Sequence, residues 1–243
     1  MFNRYLLLFS YSFFINFLCV SMSYLSLYLD VTDKNVFILG TGEVALRRAG
    51  RFLDKGANVK LAGDSLDEEF LDKGAKLVKI HADKSDNKST DALEENKKIV
   101  KTEVESSDIV VIATADYALA DYVSSIADNK LLNRADDPFD GNIIVPTSFY
   151  IGDVEFSIYT GGKSPLMAKH LRKKIQKIIT DKDIMEIELQ DFARSLLKEK
   201  ISSSKRRREV LYEILENENI IKLLEDENID KAKEEVEKYI DDL

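Results

Sequence analysis

An apolar run, Asn35-Val36-Phe37-Ile38-Leu39, breaks into Gly40-Thr41-Gly42-Glu43-Val44-Ala45, and a helical spacing of apolar residues begins at once. The run is apolar on both faces, which is the mark of a buried strand in a parallel sheet. Val44, Ala45, Ala49, Phe52 and Leu53 then recur at helical spacing, and Gly56 ends the helix. A G-x-G-x-x-A turn between a strand and a helix has a physical reading. Gly40 permits the tight turn, Gly42 lets the backbone approach a pyrophosphate, and the small Ala45 lets the helix pack closely on the strand. Free N–H groups at the helix start, together with its dipole, attract phosphates. The competing reading is a glycine turn that holds no ligand.

The following residues repeat the strand and helix alternation. Asn58 to Ala62 reads as a second strand and Lys76 to Ile80 as a third. Residues 82–107 are polar and charged, and are expected to form a loop with a short helix near 91–101. Asp108 to Thr114 is the most strand-like run in the chain; a helix over about 116–128 and a strand from Leu131 to Ala135 follow. Alternating elements of this kind predict an α/β fold, a Rossmann-type doubly wound parallel sheet with right-handed crossovers. The second strand ends at Ala62-Gly63-Asp64-Ser65, and Asp64 lies 22 residues beyond Gly42. An acid there accepts the ribose hydroxyls and repels a 2′-phosphate, so it favours NAD over NADP.

After Asp137-Pro138 the pattern changes. Asn142 to Phe149 and Val154 to Tyr159 are β-rich runs joined by Ile151-Gly152-Asp153, which suits an antiparallel pair. Thr160-Gly161-Gly162-Lys163-Ser164-Pro165 then leads into a helix, with Ser164 suited to the N-cap and Pro165 to the first turn. Gly162-Lys163-Ser164 resembles the end of a Walker loop, but the first glycine of that signature would fall on Ser157, so the ATPase reading fails. From Asp181 onward the chain is rich in Glu, Lys, Leu and Ile at helical spacing, and three or four helices are expected. The expected layout is a Rossmann domain over 22–138, a small α+β region over 139–180, and a helical domain over 181–243.

Composition narrows the function. A net charge of −9 over 243 residues argues against nucleic acid as a partner. The one cysteine, Cys19, excludes an intrachain disulfide and a thiolate cage, and His81 and His170 lie too far apart in sequence to suggest a zinc site, so no metal ligands are expected. The cytoplasm is the default compartment. Residues 5–20 are apolar, but Ser10, Ser12 and Asn16 interrupt them. Two readings stand for residues 1–21: an over-long gene model with the native start at Met22, or a hydrophobic anchor. Lys205-Arg206-Arg207-Arg208 reads as a solvated helix face or an anion site.

Four blocks resemble the precorrin-2 dehydrogenase/sirohydrochlorin ferrochelatase family, the N-terminal module of siroheme synthases. They are Tyr24-Leu25-Ser26-Leu27-Tyr28-Leu29-Asp30, Gly40 to Arg48, Asn133-Arg134-Ala135-Asp136-Asp137-Pro138, and Thr160 to Pro165 with Leu171-Arg172 beyond. The first departs from the family at Ser26, where proline is usual. The resemblance implies NAD-dependent oxidation of precorrin-2 to sirohydrochlorin, in a stand-alone form without a methyltransferase domain. Some members also insert ferrous iron as a second substrate. It implies a homodimer formed through the region after the Rossmann domain. It carries NAD contacts onto Glu43 and Val44, and onto Asp64 and Ser65. With Gly40, Thr41, Gly42 and Thr114 these make up the expected cofactor-binding set.

The essential carboxylate of the family matches Asp136, just past the end of a predicted strand, where open α/β sheets bind ligands. Removing a hydride also releases a proton, which a carboxylate can take, and chelation would need pyrrole protons removed as well. Asp137 is the competing carboxylate, and a turn residue ahead of Pro138 is the alternative role for Asp136. A carboxylate-rich tetrapyrrole needs a basic patch on an acidic protein. Thr160, Gly161, Gly162, Lys163, Ser164 and Arg172 are the expected substrate-binding residues, within a basic stretch that includes Lys169, His170, Lys173 and Lys174. An exposed basic helix face is the plain alternative. A chelatase without dehydrogenase activity, or a non-enzymatic NAD-sensing module, are the rival functions.

Overall fold

The computed structural model describes residues 24–81, 90–137 and 140–243. The expectations for residues 1–21 lie outside the described residues. The chain divides into two compact units, one running to Val145 and one over Pro146–Leu243.

The first unit is built on a five-stranded parallel sheet in the order β3-β2-β1-β4-β5. Its strands are β1 (Asn35–Leu39), β2 (Asn58–Gly63), β3 (Lys76–Lys79), β4 (Ile109–Ile112) and β5 (Leu131–Arg134). Helices α1 (Glu43–Leu53), α2 (Glu68–Asp72), α3 (Thr90–Glu105) and α4 (Tyr117–Ile126) alternate with them. The period of two along each strand divides the core into two layers. Val36, Ile38, Val59, Leu61, Ile109 and Val111 pack with Ala45 and Ala49 of α1 on one face. Phe37, Leu39, Val110, Ile112 and Leu132 pack with Val100 and Val104 of α3 and with Leu119 and Val123 of α4 on the other. Every residue of β4 is buried, as a central parallel strand covered on both faces requires. The chain winds outward from β1 to β3, then crosses back to β4. The gap between the carboxyl ends of β1 and β4 is therefore the switch point at which such sheets bind ligands.

Two boundaries differ from the sequence expectation. Helix α3 has 16 residues rather than a short segment near 91–101. Leu93, Val100 and Val104 form its core stripe, and Asn96 sits in the same stripe, 3% exposed. The Asn96 side chain accepts from the His81 N–H and donates to the His81 carbonyl, both at 2.9 Å, so a polar residue occupies a core position with its amide satisfied. Residues 142–146 also fall short of a strand. Asn142 instead lies along the edge of β5: its Oδ1 accepts from the Leu132 N–H at 2.7 Å and its Nδ2 donates to the Lys130 carbonyl at 2.7 Å. The side chain replaces ladder bonds and covers an open edge. The strand begins only at Thr147, after Pro146.

The second unit opens with an antiparallel hairpin, β6 (Thr147–Ile151) and β7 (Val154–Ile158), with Phe149 opposite Phe156. Those rings stack at 5.3 Å. Helix α5 (Pro165–Ile178) follows, with Ser164 accepting from the Met167 N–H at 3.2 Å as its N-cap. Four more helices, α6 (Asp181–Lys200), α7 (Ser204–Leu215), α8 (Glu218–Glu225) and α9 (Ile229–Asp241), enclose a core of Leu189, Ala193, Leu197, Val210, Ile214, Ile220, Leu224, Val236 and Ile240. Arg206 pairs with Glu213 at 2.7 Å and Arg207 donates to the Ile201 carbonyl at 2.7 Å, so two members of the basic run at 205–208 are engaged within their own unit. Among the described residues, no helix is long and apolar enough to cross a membrane.

Candidate functional site

The glycine turn sits at the carboxyl end of β1. Gly40 has φ 118°, and a Cβ placed on it would stand 2.2 Å from the Ala113 carbonyl oxygen. Only glycine fits, because the chain leaving β4 passes directly against it. Thr41 lies over the end of β2: a Cβ on Gly63 would meet its side chain at 2.5 Å. Gly42 is different. Its φ of −78° suits any residue, and a Cβ there would meet nothing within 4 Å. The fold itself makes no demand for glycine at this position, whereas a pyrophosphate lying against the backbone would. Gly42 is also the N-cap of α1 and supplies no side-chain hydrogen bond, so the first-turn N–H groups of Glu43 and Val44 remain available to an anion. The Glu43 carboxylate is turned to solvent and pairs with Arg47 at 3.4 Å. These residues fit a dinucleotide.

The flanking strand ends supply the remaining cofactor candidates. Asp64 and Ser65 are exposed just past β2, with the Ser65 hydroxyl 3.5 Å from the Asp64 carboxylate. Thr114 follows β4, and its Oγ1 accepts from the Asp116 N–H at 3.1 Å, which shapes the turn into α4.

Asp136 follows β5, two strands over from Gly40, which places it roughly 10 Å along the same sheet edge. Its carboxylate is held by Arg134, with Nε donating to Oδ1 at 3.2 Å and Nη2 to Oδ2 at 2.6 Å. The Nη1 of the same guanidinium donates to Asp121 at 3.0 Å and to Asp140 at 2.6 Å. Asp140 also accepts from the Ser124 hydroxyl at 2.8 Å. The Arg134 side chain is 7% exposed and that of Asp136 15%. The Arg134 hydrogen bonds hold the Asp136 carboxyl below the usual carboxylate range, against an opposing push from burial. Arg134 is pushed up, chiefly by the same bonds to Asp136. Sequence reasoning singled out Asp136 and missed Arg134, whose partners come from α4 and from the far side of the turn. Among the described residues, no cluster of His, Cys, Asp and Glu could hold a metal ion.

The second glycine turn belongs to the other unit. Gly161 and Gly162 have φ of 66° and 72°, and Thr160 closes the loop by accepting from the Ser164 N–H at 3.4 Å and donating to the Ser164 carbonyl at 3.2 Å. Lys163 is exposed. Arg172 lies over the Phe149 ring at 5.3 Å, so α5 is fixed to the hairpin through a cation–π contact.

Residues 27–147 match the family described as "Putative NAD(P)-binding". A Methanocaldococcus jannaschii protein named "Putative precorrin-2 dehydrogenase" is 33% identical over 200 residues, which cover 80% of this chain and 91% of that protein. The precorrin-2 dehydrogenase of Methanosarcina barkeri is 27% identical over 204 residues, covering 82% of this chain and 85% of the relative. The solved structure of SirC, a precorrin-2 dehydrogenase, superposes with a TM-score of 0.68 at 23% identity, over 89% of this chain and all of SirC, and so shares the fold. The chain belongs to the precorrin-2 dehydrogenase family.

Proposed function

We propose that this chain oxidises precorrin-2 to sirohydrochlorin, with NAD as the oxidant, on the route to siroheme. The observation that carries this reading is Gly42: a glycine the fold does not need, at the uncapped start of α1, on the sheet edge that also carries Asp136. Bound NAD supplies the hydride acceptor. Gly40, Thr41, Gly42, Glu43 and Val44 hold its pyrophosphate, Asp64 and Ser65 its adenosine ribose, and Thr114 lines the crevice beside β4. Asp136, ionised at neutral pH as any ordinary aspartate is and held so to still lower pH by Arg134, accepts the proton that leaves the tetrapyrrole as the hydride departs. Thr160, Gly161, Gly162, Lys163, Ser164 and Arg172 bind the carboxylates of the substrate. Iron, where it enters, is a substrate rather than a resident cofactor.

The chain pairs with a second copy through the region of the hairpin and α5. Helix α5 buries Ala168 while Leu166, Met167 and Ile178 stay exposed at 75%, 47% and 61%, an apolar face that a second copy would cover. Within the 22–138, 139–180 and 181–243 division, the first part takes the cofactor and the second takes the pairing and substrate contacts. The cytoplasm is the compartment, in keeping with a chain that has one cysteine.

An anaerobic assay of the purified protein with precorrin-2 and NAD tests the reading. NADH absorbance should rise as sirohydrochlorin forms, and ferrous iron added afterwards reads chelation separately. Absence of NADH formation by a protein that binds NAD would remove the dehydrogenase assignment.

A further inference from the structure

We propose that Arg134 is a positioning residue for the oxidation, clamping the Asp136 carboxylate in one orientation at the carboxyl end of β5. This inference rests on the reading of Asp136 given above.

The geometry separates two tasks within one guanidinium. Nη1 alone ties β5 to its surroundings, reaching Asp121 on α4 at 3.0 Å and Asp140 at 2.6 Å. That attachment would suffice to anchor the strand end. The other edge of the fork, Nε and Nη2, is given entirely to the two oxygens of Asp136, at 3.2 and 2.6 Å. A planar fork on a carboxylate fixes its rotation as well as its position, which a lysine could not do. The guanidinium is itself nearly buried, so swinging away from Asp136 would give up two charge-assisted bonds that little solvent could replace. Asp136 therefore keeps a single orientation, and its remaining lone pairs point in a fixed direction.

Among the described residues, Arg134 from β5 faces Asp136 directly, Asp140 from beyond the turn couples to it electrostatically, Asp137 stands beside it in sequence, and Asp121 from α4 meets the same guanidinium at Nη1. Arg134 is the cation among three carboxylates. It keeps Asp136 ionised to lower pH than an isolated carboxylate would be. Because only the ionised form can accept a proton, the acid limb of turnover is placed by Arg134.

The test compares wild type, Arg134→Gln, Arg134→Lys and Asp136→Asn, each as full chain, by kcat, by KM for NAD and for precorrin-2, and by the pH dependence of kcat. Arg134→Gln should lower kcat by about 10²-fold and move the acid limb to higher pH, with KM for NAD unchanged. Arg134→Lys should return the acid limb toward its wild-type place while leaving kcat low, because charge is restored without the fork. The double variant Asp121→Asn/Asp140→Asn removes the anchoring partners and serves if Arg134→Gln does not fold; it should keep the wild-type kcat. A folded Arg134→Gln with unmoved kcat and acid limb overturns the proposal. So does loss of kcat in the double variant with Arg134 intact. Asp136→Asn separates the two levels. Full turnover in that variant would sink the role of Asp136 itself, whereas its inactivity beside an unaffected Arg134→Gln would sink only the clamp.

Discussion

Arg48, on the helix that opens at the glycine turn, donates from Nη1 to the amide oxygen of Asn133 on β5, the strand that leads to Asp136. Asn133 passes the contact on, its Nδ2 donating to the Ile143 carbonyl at 3.0 Å. One amide thus links α1, β5 and the segment that leaves the sheet. The Arg48 Nε is buried without a hydrogen-bond partner among the described residues. Burial pushes the Arg48 pKa down to about 10, with the charges of Arg47 and Arg51 adding to the effect.

Asn133→Ala should therefore destabilise the protein by about 2 kcal/mol, because it removes the acceptor of a charged, poorly solvated donor. Arg48→Met should cost less, since it removes the charge along with its need for a partner. Urea unfolding of the two variants checks the order. Equal losses would mean that Asn133 serves packing rather than the guanidinium.

The glycine turn gives a sharper contrast. Gly40→Ala forces a left-handed φ and a 2.2 Å contact with the Ala113 carbonyl, and should cost more than about 2 kcal/mol. Gly42→Ala meets nothing within 4 Å at an ordinary φ, so its stability should stay within about 1 kcal/mol of wild type. Its affinity for NAD should nevertheless fall by about 10-fold or more, because the methyl group stands where the pyrophosphate approaches. Thermal unfolding paired with NAD titration measures both. Wild-type affinity in Gly42→Ala would remove the fold-independent reason for that glycine.

Much of the first unit was legible because hydrophobic period and turn chemistry agree there. β1 and β4 are nearly unbroken apolar runs, β2 is apolar on either side of Lys60, and the glycines at 40 and 42 mark the turn between strand and helix. Helix α3 was under-read because Asn96 occupies a core position, and a polar residue within a polar stretch hides the stripe that Val100 and Val104 continue. The strand assigned from Asn142 failed for a related reason: the Asn142 side chain does the work of a ladder. At the site, Asp136 could be picked out by its place after a strand. Its clamp could not, because Arg134 is adjacent in sequence to many charges, and only the fold selects Asp121 and Asp140 as the others it gathers. The Phe149 ring under Arg172 was likewise invisible, since no sequence spacing relates a hairpin residue to that helix.

The Arg134 cluster also makes a prediction for acid stability. Asp136 and Asp140 are both held below their usual value of 3.8, Asp136 mainly by Arg134, and Asp140 by the Ser124 hydroxyl and then Arg134. A carboxylate with a depressed folded pKa contributes stability that is present above 3.8 and is lost as pH falls through the folded value. The Tm difference between wild type and Arg134→Gln should therefore be widest near neutral pH and close as the pH drops below 3.8. A gap that stays constant across a melting series from neutral to acid pH would mean that the cluster contributes packing rather than charge.

The basic turn before α5 can be tested by reversing one charge at a time. Lys163 is exposed, in a loop whose shape Thr160 and two left-handed glycines maintain without it. Lys163→Glu should therefore leave Tm unchanged and raise KM for precorrin-2 by about 10-fold, the effect of one lost favourable and one gained unfavourable charge at an exposed site. Arg172→Glu should raise KM similarly but also lower Tm, because it removes the cation–π contact with Phe149, worth about 0.5–1 kcal/mol. Both KM effects should shrink toward 1 M salt, where the screening length falls to about 3 Å. NAD affinity should not change in either variant, since neither residue belongs to the glycine turn at Gly40 and Gly42 that receives the pyrophosphate. Unchanged KM in both variants, or an equal loss of NAD affinity, would leave this segment as a solvated helix face with no part in gripping the substrate.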